Sequence, residues 1–512
     1  MTASPILTAT ASPTGSTRID AAREFLLAGV SGGKLTLTRI LSGLLRAKVA
    51  AVFLGAAGVG LLAQGNQLYL LGVSLGSLAM AVGLVNKVAA EYRDPALDGR
   101  MPALETALTV HLVAASLFVL AGVAAPSAIG AAFWGSSAER DWVLVLLLGV
   151  PFGVMASSYL EAILFGTGRY DLYNRASMEA AVIGLLGFVL LVSLLSLRGA
   201  FWAVALTPVL LFLFFVKATR ELDPPVPLFR LGFDWRVARE LFGYGSTMLV
   251  TSSLSLLAAA SLRGLLIERA GAGSNGIYQV PVALSAYYTP FLTSALWGRL
   301  QPSVTRSRAL DEAFVELDAA WRWTVLAATA VLLALLVAPE IAVWTVYSRE
   351  FAPAASLIPL QAIGDFLSLL GAVFGTFLLA RGKLKSYLAL SLVGQALFFL
   401  IGFSLVHELG ARGILAAYMG SSVVMAAAGI LWYVRQAGIR GSKDLLVLVA
   451  SSLVAVVLQA LVLLGSDWTT GRVLVPLLWA IFCFPTRERK ILKQVLQGAR
   501  ATSAASGSSV PS

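Results

Sequence analysis

The stretch KLTLTRILSGLLRAKVAAVFLG, residues 34–55, has the length and apolar content of a membrane-spanning helix, yet it carries four cations. A helix needs about 20 predominantly apolar residues to cross a bilayer. Charged side chains within such a helix are costly and usually face a cavity or a partner charge. The four cations, Lys34, Arg39, Arg46 and Lys48, therefore indicate that something negative meets this helix.

Composition extends this interpretation to the whole chain. Of its 512 residues, 58% are hydrophobic and only 13% are charged, and the mean hydropathy is +0.83. Soluble domains are roughly a quarter charged. The apolar runs are continuous and about 20 residues long, unlike the alternating segments of about 10 residues in membrane β-barrels. The sequence predicts an all-α polytopic membrane protein.

The apolar runs predict about 14 transmembrane helices in two pseudo-symmetric six-helix lobes around a central cavity, followed by two C-terminal helices. A polar, proline-rich connection at 218–239 separates the lobes. The predicted domains are a disordered cytoplasmic tail at 1–30, an N-lobe at 31–217, a cytoplasmic linker at 218–239, a C-lobe at 240–437, an extra helix pair at 438–486 and a basic, disordered cytoplasmic tail at 487–512. The predicted helices lie near 34–54, 61–85, 104–125, 142–166, 176–197, 199–217, 240–264, 277–298, 322–345, 355–380, 385–406, 412–434, 444–465 and 470–485.

The two lobes share a short similarity. The first helix leads into LGAAGVGLLAQ, and the seventh leads into RAGAGSNGIYQ. Aligning Gly60 with Gly276 places Lys48 12 residues upstream of one glycine and Arg263 13 residues upstream of the other. Helices six apart run in the same direction, which is typical of parallel repeats with a substrate site between the halves. Chance similarity in Gly/Ala-rich sequence is the alternative.

Basic residues orient the chain. With a cytoplasmic N-terminus, 27 of the 38 Lys and Arg residues fall on the inner side and 7 on the outer side. Cytoplasmic loops carry such an excess of Lys and Arg, so both termini are predicted to be cytoplasmic. The net charge of +11 mostly reflects this topology and does not indicate nucleic-acid binding.

Helical geometry separates the four cations. At about 100° per residue, Arg39 and Arg46 share a face within roughly 20°, whereas Lys48 points roughly 160° away from Arg46. Arg39 and Arg46 are therefore predicted to face a cavity. Lys48 could extend outward or meet an acid, and Lys34 is expected to reach the inner surface as an anchor.

Other polar residues complete the candidate set. Asp365 is the acid placed well inside a predicted helix, and one acid cannot neutralise three or four cations. Arg263 either reaches the outer surface or belongs to the cavity, and Arg299 is predicted to anchor the inner edge. Three polar residues of the second helix either line the cavity or bond neighbouring helices: Gln64, Asn66 and Gln67.

No enzyme signature accompanies these charges. One cysteine, Cys483, excludes an internal disulfide, and two histidines offer no metal site. The sequence lacks a phosphate-binding P-loop, so it encodes no ATP hydrolysis. We expect a non-enzymatic protein without a cofactor or metal.

Three stretches resemble Wzx-type flippases of O-antigen and enterobacterial common antigen: LGAAGVGLLAQGNQLYLLGVSLGSLAMAVGLVNKVAAEYRD, GIYQVPVALSAYYTPFLTSALWGRLQPSVTR and YSREFAPAASLIPLQAIGDFLSLLGAVFGTFLLARGKLKSYLA. The resemblance covers roughly residues 31–437. It implies a transporter of the bacterial inner membrane that moves undecaprenyl-pyrophosphate-linked oligosaccharide to the periplasmic leaflet. Its cavity positions carry over onto Arg39, Lys48, Arg263 and Asp365, but not clearly onto Arg46. The helix pair at 444–485 departs from the family's usual twelve helices.

Three alternatives stay open. A lipid II flippase of peptidoglycan synthesis also has fourteen helices and a cationic cavity. A cation-coupled drug exporter of the same superfamily would require acids where this chain has cations. The third alternative is a non-transporting membrane scaffold or polymerase partner. For a flippase, the expected protein partners are a polysaccharide polymerase and a chain-length regulator. The sequence does not select among proton coupling, sodium coupling, membrane potential and downstream consumption of the product as the driving force.

Overall fold

The structure, a computed structural model, describes residues 33–92, 100–136, 139–465 and 469–483. These described residues are almost entirely helical and contain no β-strand. Ten helices among them are long and apolar enough to cross a membrane. The prediction of an all-α polytopic membrane protein is confirmed. The two tails predicted to be disordered, at 1–30 and 487–512, lie outside the described residues.

Single non-helical residues divide several of the long helices. Gly33–Ser77 breaks at Gly55, and Tyr170–Thr219 breaks at Ser196. Trp235–Ala295 breaks at Gly271. Ala411–Leu464 breaks at Gly438, and its two parts already count as two of the ten apolar helices. With a shorter C-terminal helix, the described chain has fourteen spans, numbered here in order: 33–54, 56–77, 102–124, 140–166, 170–195, 197–219, 235–270, 272–306, 310–337, 358–380, 384–409, 411–437, 439–464 and 469–483.

Shorter helices connect some of these spans, at Ala81–Glu91, Pro126–Trp134, Pro339–Val346 and Arg349–Leu357. The sequence had predicted loops of several residues after the first and seventh spans. The structure instead turns the chain at Gly55 (φ 64°) and Gly271 (φ 81°). Glycine has no Cβ and adopts positive φ readily, so one residue redirects the backbone and no loop is needed.

The breaks recur at equivalent positions in the two halves of the chain, spans 1–6 (the N half) and spans 7–12 (the C half). Gly271 follows Gly55 by 216 positions and breaks the equivalent helix. Ser196 (φ 52°, ψ −129°) and Gly410 (φ 54°, ψ −129°) are 214 positions apart and join spans 5 to 6 and 11 to 12. The two halves therefore share one chain path, as the predicted pseudo-symmetric lobes required.

Spans 2 and 8 cross in backbone contact between the halves. A Cβ added to Gly60 would lie 2.0 Å from the Ala272 carbonyl oxygen. One added to Gly276 would lie 1.9 Å from the equivalent oxygen of Ala56. Such approach requires glycine, as in other close helix contacts in membranes. The two glycines aligned in the sequence are thus the reciprocal contact points of the crossing.

The last two spans pack against the C half. The Gln459 side-chain amide of span 13 donates to the carbonyl oxygens of Leu336 (3.1 Å) and Arg472 (2.9 Å). Arg472 of span 14 forms an ion pair with Glu340 at 3.1 Å. The buried Gln459 amide thereby joins span 13 to spans 9 and 14, and the ion pair joins span 14 to the short helix Pro339–Val346.

We expect Gly60→Ala to destabilise the protein, because its Cβ would displace the Ala272 backbone. Overpacking of this kind costs about 1–3 kcal/mol. Thermal unfolding of the purified protein in detergent measures the effect. The control is Gly273→Ala, one turn from the crossing, where an added Cβ meets nothing within 4 Å. Equal unfolding midpoints for the two variants would contradict the proposed steric role of the crossing.

Candidate functional site

Arg39 and Arg46 line one cavity inside the N half. The cavity lies between spans 1, 5 and 6 and has a volume of about 250 Å³. Arg39 and Arg46 are seven positions apart, which is close to two helical turns. Both guanidinium groups therefore lie on the same face of span 1, as the helical geometry predicted. The full lining set is Arg39, Ser42, Gly43, Arg46, Ser177, Ala180, Ala181, Thr207 and Leu211.

Arg46 is a partly buried cation without an anionic partner among the described residues. No described residue forms an ion pair or hydrogen bond with its guanidinium, and its buried Nε has no acceptor. Its Nη2 approaches within 2.6 Å of the site where a Cβ on Gly184 would lie, so the glycine makes room for it. The Phe188 ring lies 5.9 Å from the guanidinium carbon. A cation in apolar surroundings favours an anionic ligand that can supply the missing acceptors.

Arg39 is better satisfied. Its Nη2 donates to the Tyr173 hydroxyl at 2.8 Å, and the Tyr173 ring lies 5.7 Å from its guanidinium carbon. Glu161, from the end of span 4, is close enough to interact electrostatically with Arg39. Arg39 therefore adds positive charge to the cavity, but its guanidinium already has protein partners.

A central cavity of about 290 Å³ adjoins the first and shares Gly43 and Arg46 with it. Residues of spans 1, 2, 5, 6 and 8 line it together with Tyr347, so both halves contribute. Asn66 and Gln67 line it, and the Gln67 Oε1 is buried without a donor. Gln64 does not line it.

Gln64 instead forms hydrogen bonds to neighbouring segments, which was the second role predicted for Gln64, Asn66 and Gln67. Its Nε2 donates to the carbonyl oxygens of Phe133 (2.8 Å) and Ala260 (2.9 Å).

Lys48 faces away from Arg46 and binds backbone carbonyls of the C half. Its Nζ donates to the Trp344 oxygen at 2.9 Å and to the Tyr347 oxygen. These carbonyls end the short helix Pro339–Val346, where a cation is favoured by the helix dipole. A second hydrogen bond also connects the two halves: the Ala56 N–H donates to the Glu350 Oε1 at 3.0 Å. Lys48 thus joins the two halves in this structure.

Arg263 is buried, with 2% of its surface exposed, so its side chain does not reach the protein surface. Its Nη1 donates to the Asn275 Oδ1 at 3.3 Å, and its guanidinium carbon lies 4.7 Å from the Tyr278 ring centre. The Asn275 amide in turn donates to the Gly60 oxygen at 2.7 Å. Arg263 therefore supports the crossing of spans 2 and 8.

Asp365 is held by uncharged donors. Its carboxylate accepts hydrogen bonds from the hydroxyls of Tyr288 and Tyr418 and from the Gln361 amide; the last two distances are both 2.9 Å. No cation among the described residues forms an ion pair with it. It does not neutralise the cations of span 1 in this structure.

Arg299 lines neither of the two cavities. Arg299 forms an ion pair with Glu316 at 3.2 Å. The Lys34 side chain lies outside the described atoms. Among the described residues, no group of three or more His, Cys, Asp or Glu could hold a metal.

The sequence reading missed the aromatic and amide side chains that complete the cavities: Tyr173, Phe188, Gln279, Tyr287 and Tyr347. The sequence of span 5 did contain an indication of the cavity, because the small residues Ser177 and Gly184 leave space for the cations of span 1. That signal becomes specific only when span 5 is known to pack against span 1.

The fold is that of a class of helical membrane transporters. It superposes on a multidrug resistance MATE family transporter of the MOP superfamily in an inward-facing conformation, with a TM-score of 0.63 and 16% identity over 81% of this chain and 98% of that one. It also superposes on the lipid II flippase MurJ in an inward closed conformation, with a TM-score of 0.62 and 12% identity over 92% of this chain and 99% of that one.

Two curated relatives are similar in sequence. The chain is 26% identical over 393 residues to a lipid III flippase of Escherichia coli (strain K12), covering 76% of this chain and 93% of the relative. The same values hold for the lipid III flippase of Shigella flexneri. No family model matches the chain.

We expect Asp365→Leu to destabilise the protein more than Asp365→Asn. Leucine would leave three donors without this acceptor, and a buried one such as the Gln361 amide costs about 1–3 kcal/mol when unsatisfied. Asparagine keeps one acceptor oxygen and the side-chain shape. Thermal unfolding midpoints in detergent measure both variants, and equal midpoints would show that the three hydrogen bonds do not stabilise this part of the fold.

Proposed function

We propose that this protein flips an undecaprenyl-pyrophosphate-linked oligosaccharide repeat unit, of O-antigen or a related surface polysaccharide, from the cytoplasmic to the periplasmic leaflet. The observation that carries the proposal is Arg46, a partly buried cation that lines two cavities, has a buried Nε without an acceptor and has no anionic partner among the described residues. The similarity to lipid III flippases supports a lipid-linked oligosaccharide as the substrate class.

The chemistry of the cavity suits pyrophosphate. A central Arg costs about 2.5–3.5 kcal/mol on insertion scales, so its retention favours a use in which an anion offsets that cost. Guanidinium groups bind phosphate oxygens through paired, charge-assisted hydrogen bonds. Arg46 supplies the free donors, and Arg39 adds positive charge on the same face. The polar groups of Asn66 and Gln67 extend the site into the central cavity.

Alternating access completes the proposal. The two halves share one chain path and enclose the central cavity between them, which supports rocking of one half against the other. We place the protein in the bacterial inner membrane with both termini cytoplasmic, on the distribution of basic residues. The predicted lobe and linker boundaries, and a polysaccharide polymerase and chain-length regulator as partners, belong to this proposal.

The cavity charge disfavours export of cationic drugs, because such a ligand would meet Arg39 and Arg46. A lipid II substrate is the alternative that shares the pyrophosphate. Complementation separates the two substrates: the gene should restore surface polysaccharide in cells lacking their own repeat-unit flippase. Rescue of cells depleted of their lipid II flippase would instead overturn the repeat unit as substrate.

We expect Arg46→Gln to weaken binding of undecaprenyl pyrophosphate by about 10- to 100-fold, because charge-assisted hydrogen bonds contribute roughly 1.5–3 kcal/mol. Affinity is measured on purified protein in detergent, beside surface polysaccharide and protein abundance in cells. The matched control is Arg140→Gln, whose side chain is 61% exposed and should change neither value. Unchanged affinity in Arg46→Gln would exclude this anion site.

Lys48→Met tests the role that the family resemblance implied. Because Lys48 binds the backbone oxygens of Trp344 and Tyr347, we expect this variant to retain undecaprenyl pyrophosphate affinity within about threefold while it loses thermal stability. A loss of affinity as large as in Arg46→Gln, at unchanged stability, would instead place Lys48 among the pyrophosphate ligands.

A further inference from the structure

A third cavity lies inside the C half, between spans 7, 10, 11 and 12, and has a volume of about 410 Å³. Its walls are rich in hydroxyl groups, and no charged side chain lines it. The lining residues are Ser255, Ala259, Ser368, Leu390, Ser391, Gly394, Gln395, Phe398, Tyr418, Ser421, Ser422, Val424 and Met425.

This cavity is the counterpart of the cationic cavity in the N half. The helix breaks fix the correspondence at 216 positions for spans 1 and 7, and at 214 positions for spans 5–6 and 11–12. With these offsets, seven of the nine residues that line the N-half cavity are equivalent to residues that line the C-half cavity. The pairs are Arg39 and Ser255, Gly43 and Ala259, Ser177 and Ser391, Ala180 and Gly394, Ala181 and Gln395, Thr207 and Ser421, and Leu211 and Met425.

The two equivalent cavities differ in charge. Arg39 is replaced by Ser255, and the position equivalent to Arg46 is Leu262, which is buried and apolar. Ala181 is replaced by Gln395, which adds an amide. One half of the molecule therefore offers cations, and the other offers neutral donors and acceptors in the same place.

The neutral cavity has unused hydrogen-bonding capacity. Ser255 and Gln395 form no hydrogen bond with any described residue. Ser421 and Ser422 donate to the Tyr418 carbonyl oxygen at 2.9 and 2.8 Å, which leaves their own oxygens able to accept. A hydroxyl acts as donor and acceptor, and a glutamine amide offers both functions at fixed positions.

We propose that this C-half cavity binds uncharged sugars of the lipid-linked substrate, while the N-half cavity binds its pyrophosphate. Sugars carry many hydroxyls and no charge, and they match a cavity of serine hydroxyls and one amide beside the rings of Phe398 and Tyr418. Its volume lies in the range of small-molecule sites, roughly 300–1,000 Å³. The inference rests on the proposed function for the identity of the ligand.

The test compares three probes on the purified full-length protein: undecaprenyl pyrophosphate, the same lipid carrying a neutral trisaccharide, and that trisaccharide free in solution. We expect the wild-type protein to bind the glycosylated lipid more tightly than the bare lipid. The double variant Ser255→Ala/Gln395→Leu should bind the glycosylated lipid about tenfold more weakly, because it loses two or more hydrogen bonds. Its affinity for the bare lipid should be unchanged.

Two further variants control the comparison. Ser404→Ala removes a hydroxyl from the same span 11 at an exposed position and should bind all three probes like the wild type. Gln395→Ala alone replaces the double variant if thermal unfolding shows that the latter is not folded, and it should show a smaller loss in the same direction.

The outcomes separate this inference from the proposed function. Equal affinity of the wild type for bare and glycosylated lipid, or equal loss of both in the cavity variants, overturns the sugar site while the pyrophosphate site stands. Wild-type binding of the free trisaccharide, lost in the cavity variants, supports the sugar site even if bare lipid does not bind and the proposed function fails.

Discussion

Backbone contact between spans 2 and 8 sets the relation between the two halves. Gly60 and Gly276 each face the carbonyl oxygen of the residue four positions before the other, so the contact is reciprocal. Asn275 then bonds the Gly60 oxygen and receives the Arg263 guanidinium. Packing without Cβ atoms leaves little freedom in the register of the two helices. That register places the central cavity beside span 1 and Arg46 at its edge.

Three of the four candidate cations bind protein groups, each of a different kind. Lys48 binds backbone carbonyls, Arg263 binds an amide and an aromatic ring, and Arg39 binds a tyrosine hydroxyl. Arg46 lines two cavities and has no hydrogen-bond acceptor among the described residues. A buried donor without an acceptor costs more than a bonded one contributes. Of the cations whose side chains are described in span 1, Arg46 is therefore the one that an external anion would stabilise most, which is the basis of the proposed pyrophosphate site.

Helical periodicity predicted much of this arrangement. The number of spans and the shared face of Arg39 and Arg46 follow from apolar length and from the turn per residue, both of which are local properties. The Lys48 partners could not be predicted in that way, because they are backbone oxygens nearly 300 residues away and any sequence supplies such oxygens. The C-half cavity could not be predicted from the sequence for a related reason. Its serines are ordinary in a membrane helix until the break at Ser196 is matched with the break at Gly410.

Lys48 and Arg46 cannot serve the same ligand in this conformation. They are two residues apart and lie on nearly opposite faces of span 1, at about 100° of rotation per residue. Lys48 could bind an anion only after its bonds to the Trp344 and Tyr347 oxygens break. Breaking them would remove a tie between the halves at the end of span 1 where Glu350 also binds Ala56. A role for Lys48 in substrate binding therefore requires a conformation in which this end has separated, whereas Arg46 faces its cavities with both ties in place.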